Sequence, residues 1–140
     1  MNGPAVQVHA EDLTLECVTA SGRVCHLEAS FSYDSTDPYG VTIEFCTGDT
    51  KIPWQFSRDL LDRGLTMPYG DGDVHLWPSL DFQGHAVTVI ELTSDTGEFQ
   101  AQARSRDVLR FLQRSYEIVP EGHESEYVDI DGLVGDLLAS

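Results

Sequence analysis

Y-D-S-T-D-P-Y-G-V-T-I-E-F-C-T-G-D-T-K-I-P-W-Q-F-S-R-D-L-L, residues 33–61, carries a turn, a strand, a reversal, a second strand and a helix start in one run. Asp37-Pro38 sets the turn, because proline fixes its own φ and pushes the preceding residue out of the helical region. Val41, Ile43 and Phe45 alternate with polar residues, which puts one face of a strand in a core and the other in water. Thr47-Gly48-Asp49-Thr50 reads as a tight reversal with glycine free to take positive φ, and Ile52, Trp54 and Phe56 alternate on the return. Ser57 stands where a side-chain oxygen can accept from the amides of a first helical turn, and Asp59 complements the helix dipole. Leu60 and Leu61 give that helix an apolar face, and Gly64 stops it early. The run is a β-hairpin feeding a short helix.

Working outward on the N-terminal side, Leu13, Leu15 and Cys17 alternate, Ser21-Gly22 reverses the chain, and Cys25, Leu27, Ala29, Phe31 and Tyr33 share one face of the return strand. Residues 1–12 are polar and unpatterned; they are expected to form a flexible extension ahead of a single domain over residues 13–140. On the C-terminal side, Pro68 and Gly70-Asp71-Gly72 read as a flexible turn before a short strand of Val74, Leu76 and Trp77 closed by Pro78. Val87, Val89, Ile90 and Leu92 form another strand, reversed at Asp95-Thr96-Gly97 into Phe99, Ala101 and Ala103. Ser105 is the expected cap of a longer helix in which Val108, Leu109, Leu112 and Tyr116 recur at helical spacing. A last amphipathic helix is expected after Asp129, with Ile130, Leu133, Val134, Leu137 and Leu138 on one face. Gly132 and Gly135 each cost that helix about 1 kcal/mol, so it is expected to need packing against the sheet or another subunit. Strands followed by a helix thus occur twice, which predicts an α+β fold of two loosely repeated halves.

The 140 residues include 24 acidic and 8 basic side chains, a formal charge of −16 that repels polyanions and argues against nucleic acid and anionic lipid as partners. Arg104, Arg106, Arg110 and Arg114 concentrate half of the positive charge in one segment, read as a solvated face rather than a phosphate site. No apolar run approaches the roughly 18 residues that cross a bilayer, and Met1 to Ala10 lacks the basic flank and apolar block of a secretory signal. A cytoplasmic protein is expected. Cys17, Cys25 and Cys46 lie in strand-like stretches without metal spacing and read as buried free thiols rather than as a disulfide or metal ligands.

Candidate chemistry is sparse. His9, His26, His75, His85 and His123 are scattered, with no H-E-x-x-H and no C-x-x-C, and no nucleophile elbow or phosphate loop occurs. His26 and His75 sit beside apolar strand neighbours and read as structural; a pocket gathering His75, His85 and carboxylates would point to an enzyme. Gly70-Asp71-Gly72-Asp73 lacks the spacing and closing glutamate of a calcium loop. Glu121, Glu124, Glu126, Asp129 and Asp131 read as a solvated linker, with a docking patch for a basic partner as the minor reading. Trp54 and Trp77 read as core residues, or as a recognition surface if they fall at a rim. No catalytic, cofactor-binding or metal-ligating residue is assigned.

Several ordered motifs resemble the SsgA-like sporulation and cell-division proteins of actinobacteria. Tyr33-Asp34 with Asp37-Pro38-Tyr39 is similar to that family's Y-D-x-x-D-P-Y segment, and Trp54-x-Phe56-x-Arg58-Asp59-Leu60-Leu61-x-x-Gly64 to its strand-to-helix signature. Gly70-x-Gly72-Asp73-Val74, Trp77-Pro78, Phe111-Leu112-x-Arg114 and Val119-Pro120-x-Gly122 continue the correspondence, which runs from about Leu13 to Leu138. The resemblance implies strongly bent, barrel-like antiparallel sheets with two to three helices, of whirly-like architecture. It also implies a non-enzymatic regulator of septation, without cofactor, acting in the cytoplasm at the division septum. Partners would be septal proteins such as FtsZ or another SsgA-like protein, and the protein would be a homo-oligomer, with a trimer favoured. Trp54, Arg58, Arg106, Arg110 and Arg114 are the expected partner or oligomer interface, the last three sharing a helical face. The alternative is a single-stranded nucleic-acid binder of whirly-like fold, for which the arginine helix and strand aromatics would be the site.

Overall fold

Period-two alternation survives into three dimensions along nearly every extended segment. The computed structural model describes residues 6–18, 22–128, 135 and 137–139. Its strands are β1 (Val8–Val18), β2 (Val24–Asp34), β3 (Gly40–Thr47), β4 (Thr50–Ser57), β5 (Tyr69–Asp71), β6 (Val74–Leu80), β7 (Ala86–Ser94) and β8 (Gly97–Arg104). Helix α1 (Arg58–Gly64) follows β4, α2 (Ser105–Ile118) follows β8, and a 3-10 turn spans Glu124–Tyr127. All eight strands form one curled antiparallel sheet in the order β4-β3-β2-β1-β8-β7-β6-β5. Each half is a four-stranded meander followed by a helix, so the loosely repeated α+β plan is present.

The two meanders meet where β1 lies beside β8, through the pairs Glu16↔Gln102 and Cys17↔Ala101. By contrast, β1 and β2 share eleven residue pairs. The sheet's inward face carries Leu15, Phe31, Ile43, Leu76 and Ile90, all fully buried, and both helices pack on it. Leu60 and Leu61 enter from α1, and Val108, Phe111 and Leu112 from α2. Phe111 meets Phe31 edge-on at a centroid distance of 5.7 Å. Each such side chain contributes about 1.5–3 kcal/mol by leaving water. Gly64 ends α1 against Leu76 of β6, and a Cβ at that position would collide with the leucine side chain.

The structure corrects several sequence expectations. Residues from Val8 are already in β1, so the supposed extension through Asp12 is in part a paired strand, Val8 opposite Asp34. The stretch read as a flexible turn holds β5, whose three residues pair with Val74–Leu76. Pro78 does not close β6: it pairs with Thr88 of β7, and the pairing of β6 with β5 stops at Leu76, so no outer neighbour needs the missing N–H. Ser105 makes no cap bond; its hydroxyl meets Thr88 Oγ1 at 2.9 Å, while Ser57 does cap α1, accepting from the Leu60 amide at 3.0 Å. Cys17 and Cys25 face each other across β1 and β2 and form a disulfide, leaving Cys46 as the free thiol. The expected helix after Asp129 lies mostly outside the described residues.

Candidate interaction surfaces

Arg58 is the first residue of α1, and its side chain turns inward until 2% of it remains exposed. Helix α2 has no basic residue in its own last turn, so its terminal carbonyls need donors from elsewhere. Arg58 provides them. Its Nη1 donates to the carbonyls of Ser115 at 3.2 Å and Val119 at 2.9 Å, and its Nη2 donates to Glu124 Oε1 at 2.8 Å. The guanidinium lies between two rings, 4.6 Å from the Tyr33 centroid and 4.5 Å from that of Tyr116. A planar, five-donor cation fits this fork-and-sandwich arrangement, whereas a lysine ammonium would not.

The surrounding groups are tuned by the same packing. Tyr33 donates to the Pro38 carbonyl at 2.7 Å, which ties the Asp37-Pro38 turn to the cage; burial, partly offset by Arg58, pushes its phenol up to about 12. Tyr116 donates to Asp62 Oδ2 at 2.6 Å, and burial followed by that bond raises its phenol further. Burial pushes the Glu124 carboxyl up, but backbone amide hydrogen bonds and the Arg58 guanidinium outweigh it and leave it below the ordinary glutamate range. The expectation that Arg58 faces a partner is therefore corrected: it locks α1, α2 and the Glu124 turn together. Glu124, read as part of a solvated linker, belongs to that lock.

Trp54 lies at the other end of the curl, half-buried against the core. With Leu27, Phe45, Ile52, Leu92 and Phe99 it lines an apolar groove of 390 Å³ between the β3–β4 and β7–β8 hairpins. Phe45 and Phe99 touch edge-on across it, with centroids 5.4 Å apart. Ile52 is 43% exposed there. Trp54 thus belongs to the core on one side and to a recessed surface on the other.

Arg106, Arg110 and Arg114 do share the outer face of α2, with side chains 78%, 52% and 55% exposed. Each has a carboxylate close by. Arg106 approaches Asp107 at 3.8 Å, Arg110 approaches Asp107 at 3.3 Å and Glu11 at 3.4 Å, and Arg114 approaches Glu117 at 3.4 Å. The structure brings these three together, but neither with Arg58 nor with Trp54. His75 pairs with Glu91 on the strands, and His85 with Asp81 in the β6–β7 turn, two separate exposed pairs. The groove partners Leu27, Phe45 and Phe99 escaped the sequence reading because each looks like an ordinary strand residue; only the register across the seam unites them.

The family model described as "Streptomyces sporulation and cell division protein, SsgA" matches residues 27–124, a span that includes the Arg58 cage and every residue lining the groove. The chain belongs to the SsgA family. SsgB of Streptomyces coelicolor, named a sporulation-specific cell division protein, is 39% identical over 129 residues, covering 91% of this chain and 93% of the relative. SsgB of Kineococcus radiotolerans is 38% identical, covering 91% of this chain and 78% of the relative. The crystal structure of an SsgA-like sporulation-specific cell division protein from Thermobifida fusca superposes with a TM-score of 0.86 at 32% identity, covering 96% of this chain and 98% of that one. SsgA membership supports a role in sporulation and cell division, and the family is one of division proteins rather than an enzyme family. Among the described residues, no helix is long and apolar enough to cross a membrane. Cys17 and Cys25 both lie outside the span matched by the SsgA model.

Proposed function

We propose that this protein is a non-enzymatic organiser of the division septum in sporulating cells. It acts in the cytoplasm at the septum, as a homo-oligomer with a trimer favoured, and positions septal proteins such as FtsZ or another SsgA-like protein. The observation that carries this reading is the Trp54–Phe99 groove. Its apolar walls are held open by two hairpins, and it offers an aromatic anchor recessed beside an exposed isoleucine, the composition that interface centres favour. SsgA family membership gives the process in which such a surface would be used. The arginine face of α2 is the second contact surface of this proposal, with its charge directed at acidic groups of a partner.

Single-stranded nucleic acid suits the molecule less well. The chain carries a formal charge of −16, which repels a polyanion, whereas a protein partner need bring only a local acidic patch to the α2 face. A pull-down from sporulating cells with the full chain tests the proposal. Wild type is expected to recover FtsZ or another septal protein, and Ile52→Asp to lose it while keeping the native circular dichroism. Recovery of no septal protein, together with tight and steeply salt-dependent binding of oligonucleotides, would overturn it. Charge reversal at Arg110 and Arg114 that changes neither oligomer mass nor septal localisation would remove the α2 face from the interface.

A further inference from the structure

The disulfide joins β1 to β2 beside the junction of the two meanders. The hairpin of β1 and β2 does not need it, since eleven residue pairs already set that register. The seam between the two meanders is different: β1 and β8 meet through Glu16↔Gln102 and Cys17↔Ala101, one of which contains a bridged cysteine. A side-chain bond from Gln102 Nε2 to Glu16 Oε2 at 3.1 Å supports the same spot. The groove is built from the adjoining residues: Leu27 lies two residues along β2 from Cys25, and Phe99 two residues along β8 from Ala101. Cys17 is 9% exposed and Cys25 half-buried, so the Cys25 sulfur is the one an external thiol reaches.

We propose that Cys17–Cys25 is a thiol–disulfide exchange site whose reduction by a dithiol loosens the β1–β8 seam and reshapes the adjoining groove. One thiolate of the reductant attacks Cys25 Sγ, and Cys17 leaves as a thiolate that takes a proton from solvent. The second thiolate of the reductant then attacks its own sulfur in the mixed disulfide and releases Cys25, which is protonated in turn. Two electrons pass to the protein, and the reductant departs as its cyclic disulfide. The freed sulfurs must separate to van der Waals distance, and the buried one belongs to Cys17, whose partner across the seam is the buried Ala101. A disulfide in a protein acting in the cytoplasm is of the redox-sensing kind, and the physiological meaning of the switch rests to that extent on the cytoplasmic placement proposed above.

The test uses purified full-length protein, so its failure is separate from that of the septal reading. Trapping thiols with N-ethylmaleimide in denaturant is expected to modify one cysteine before dithiothreitol and three after it. Hydrogen exchange at Glu16–Val18 and at the Ala101 and Gln102 amides should rise about tenfold on reduction, while β3–β4 and β6–β7 stay protected. The double variant Cys17→Ser/Cys25→Ser should show the reduced pattern without reductant, and Cys46→Ser should respond as wild type does. Three modified cysteines before reduction, unchanged seam exchange after it, or loss of the response in Cys46→Ser would each overturn the proposal.

Discussion

β2 runs between two regions of opposite character. At its Tyr33 end, Arg58 is closed in by two aromatic rings, two helix-terminal carbonyls and a carboxylate. At its Leu27 end, apolar side chains of comparable size leave a groove of 390 Å³ open to solvent. The closed end ties the C-terminus of α2 to α1 and the Glu124 turn, and a buried charge is tolerated because its donors are used. The open end has nearly the reverse design, with little polarity and surface to spare. At these two ends, then, the buried charge holds structure together and the apolar rim is the surface left open for contact.

The largest effect that could break this contrast is expected from Arg58→Ala. It removes the charge partner of Glu124 and the side-chain donor to the Val119 carbonyl, and should lower unfolding free energy by about 3–5 kcal/mol in urea titration. Arg58→Lys should recover little of it, because an ammonium has three donors on a single nitrogen and lacks the planar, spread fork that reaches the α2 carbonyls and Glu124 while stacked between two rings. A fully stable Arg58→Ala protein deficient only in partner binding would return Arg58 to the surface. Trp54→Ala comes next. Half of that side chain packs on the core, so about 2 kcal/mol is expected, below the range for a fully buried tryptophan, together with loss of septal partner recovery.

Acid sharpens the contrast further. Because the Glu124 carboxyl is held below its ordinary value of 4.5, its contribution to stability is complete above that value. It is lost as pH falls from there through the folded-state pKa, and Glu124→Gln should flatten that limb of a stability-versus-pH curve. The smallest effect belongs to Ile52→Ser, expected to change stability by no more than about 0.5 kcal/mol while weakening partner recovery.

The hairpin and capped helix of residues 33–61 were legible because alternation and Ser57 follow local rules that the tertiary structure leaves alone. Arg58 was not. Its type argues for the surface, and the acceptors that reverse that preference sit at Ser115, Val119 and Glu124, which no local pattern connects to it. The disulfide was not legible from the turn: counting outward from a two-residue reversal at Ser21-Gly22 sets Cys17 opposite His26, one residue from the observed Cys17↔Cys25 register. β5 escaped because Tyr69–Asp71 contains no apolar alternation, only a backbone edge supplied by β6. Of the expected interface, Trp54 lines the groove and the three α2 arginines share one face, while the groove as a whole depended on the β1–β8 seam, a pairing between residues far apart in sequence.

The Arg58 cage also bears on how the chain comes off the ribosome. The first meander and α1 are synthesised before any of the acceptors exist, since these follow Arg58 by 57, 61 and 66 residues. A nascent first half would have to hold a charged group that its own core cannot accommodate, so it has little reason to persist folded alone. Maturation then waits for the C-terminal half, and unfolding in denaturant should appear as one cooperative transition followed identically by fluorescence and circular dichroism.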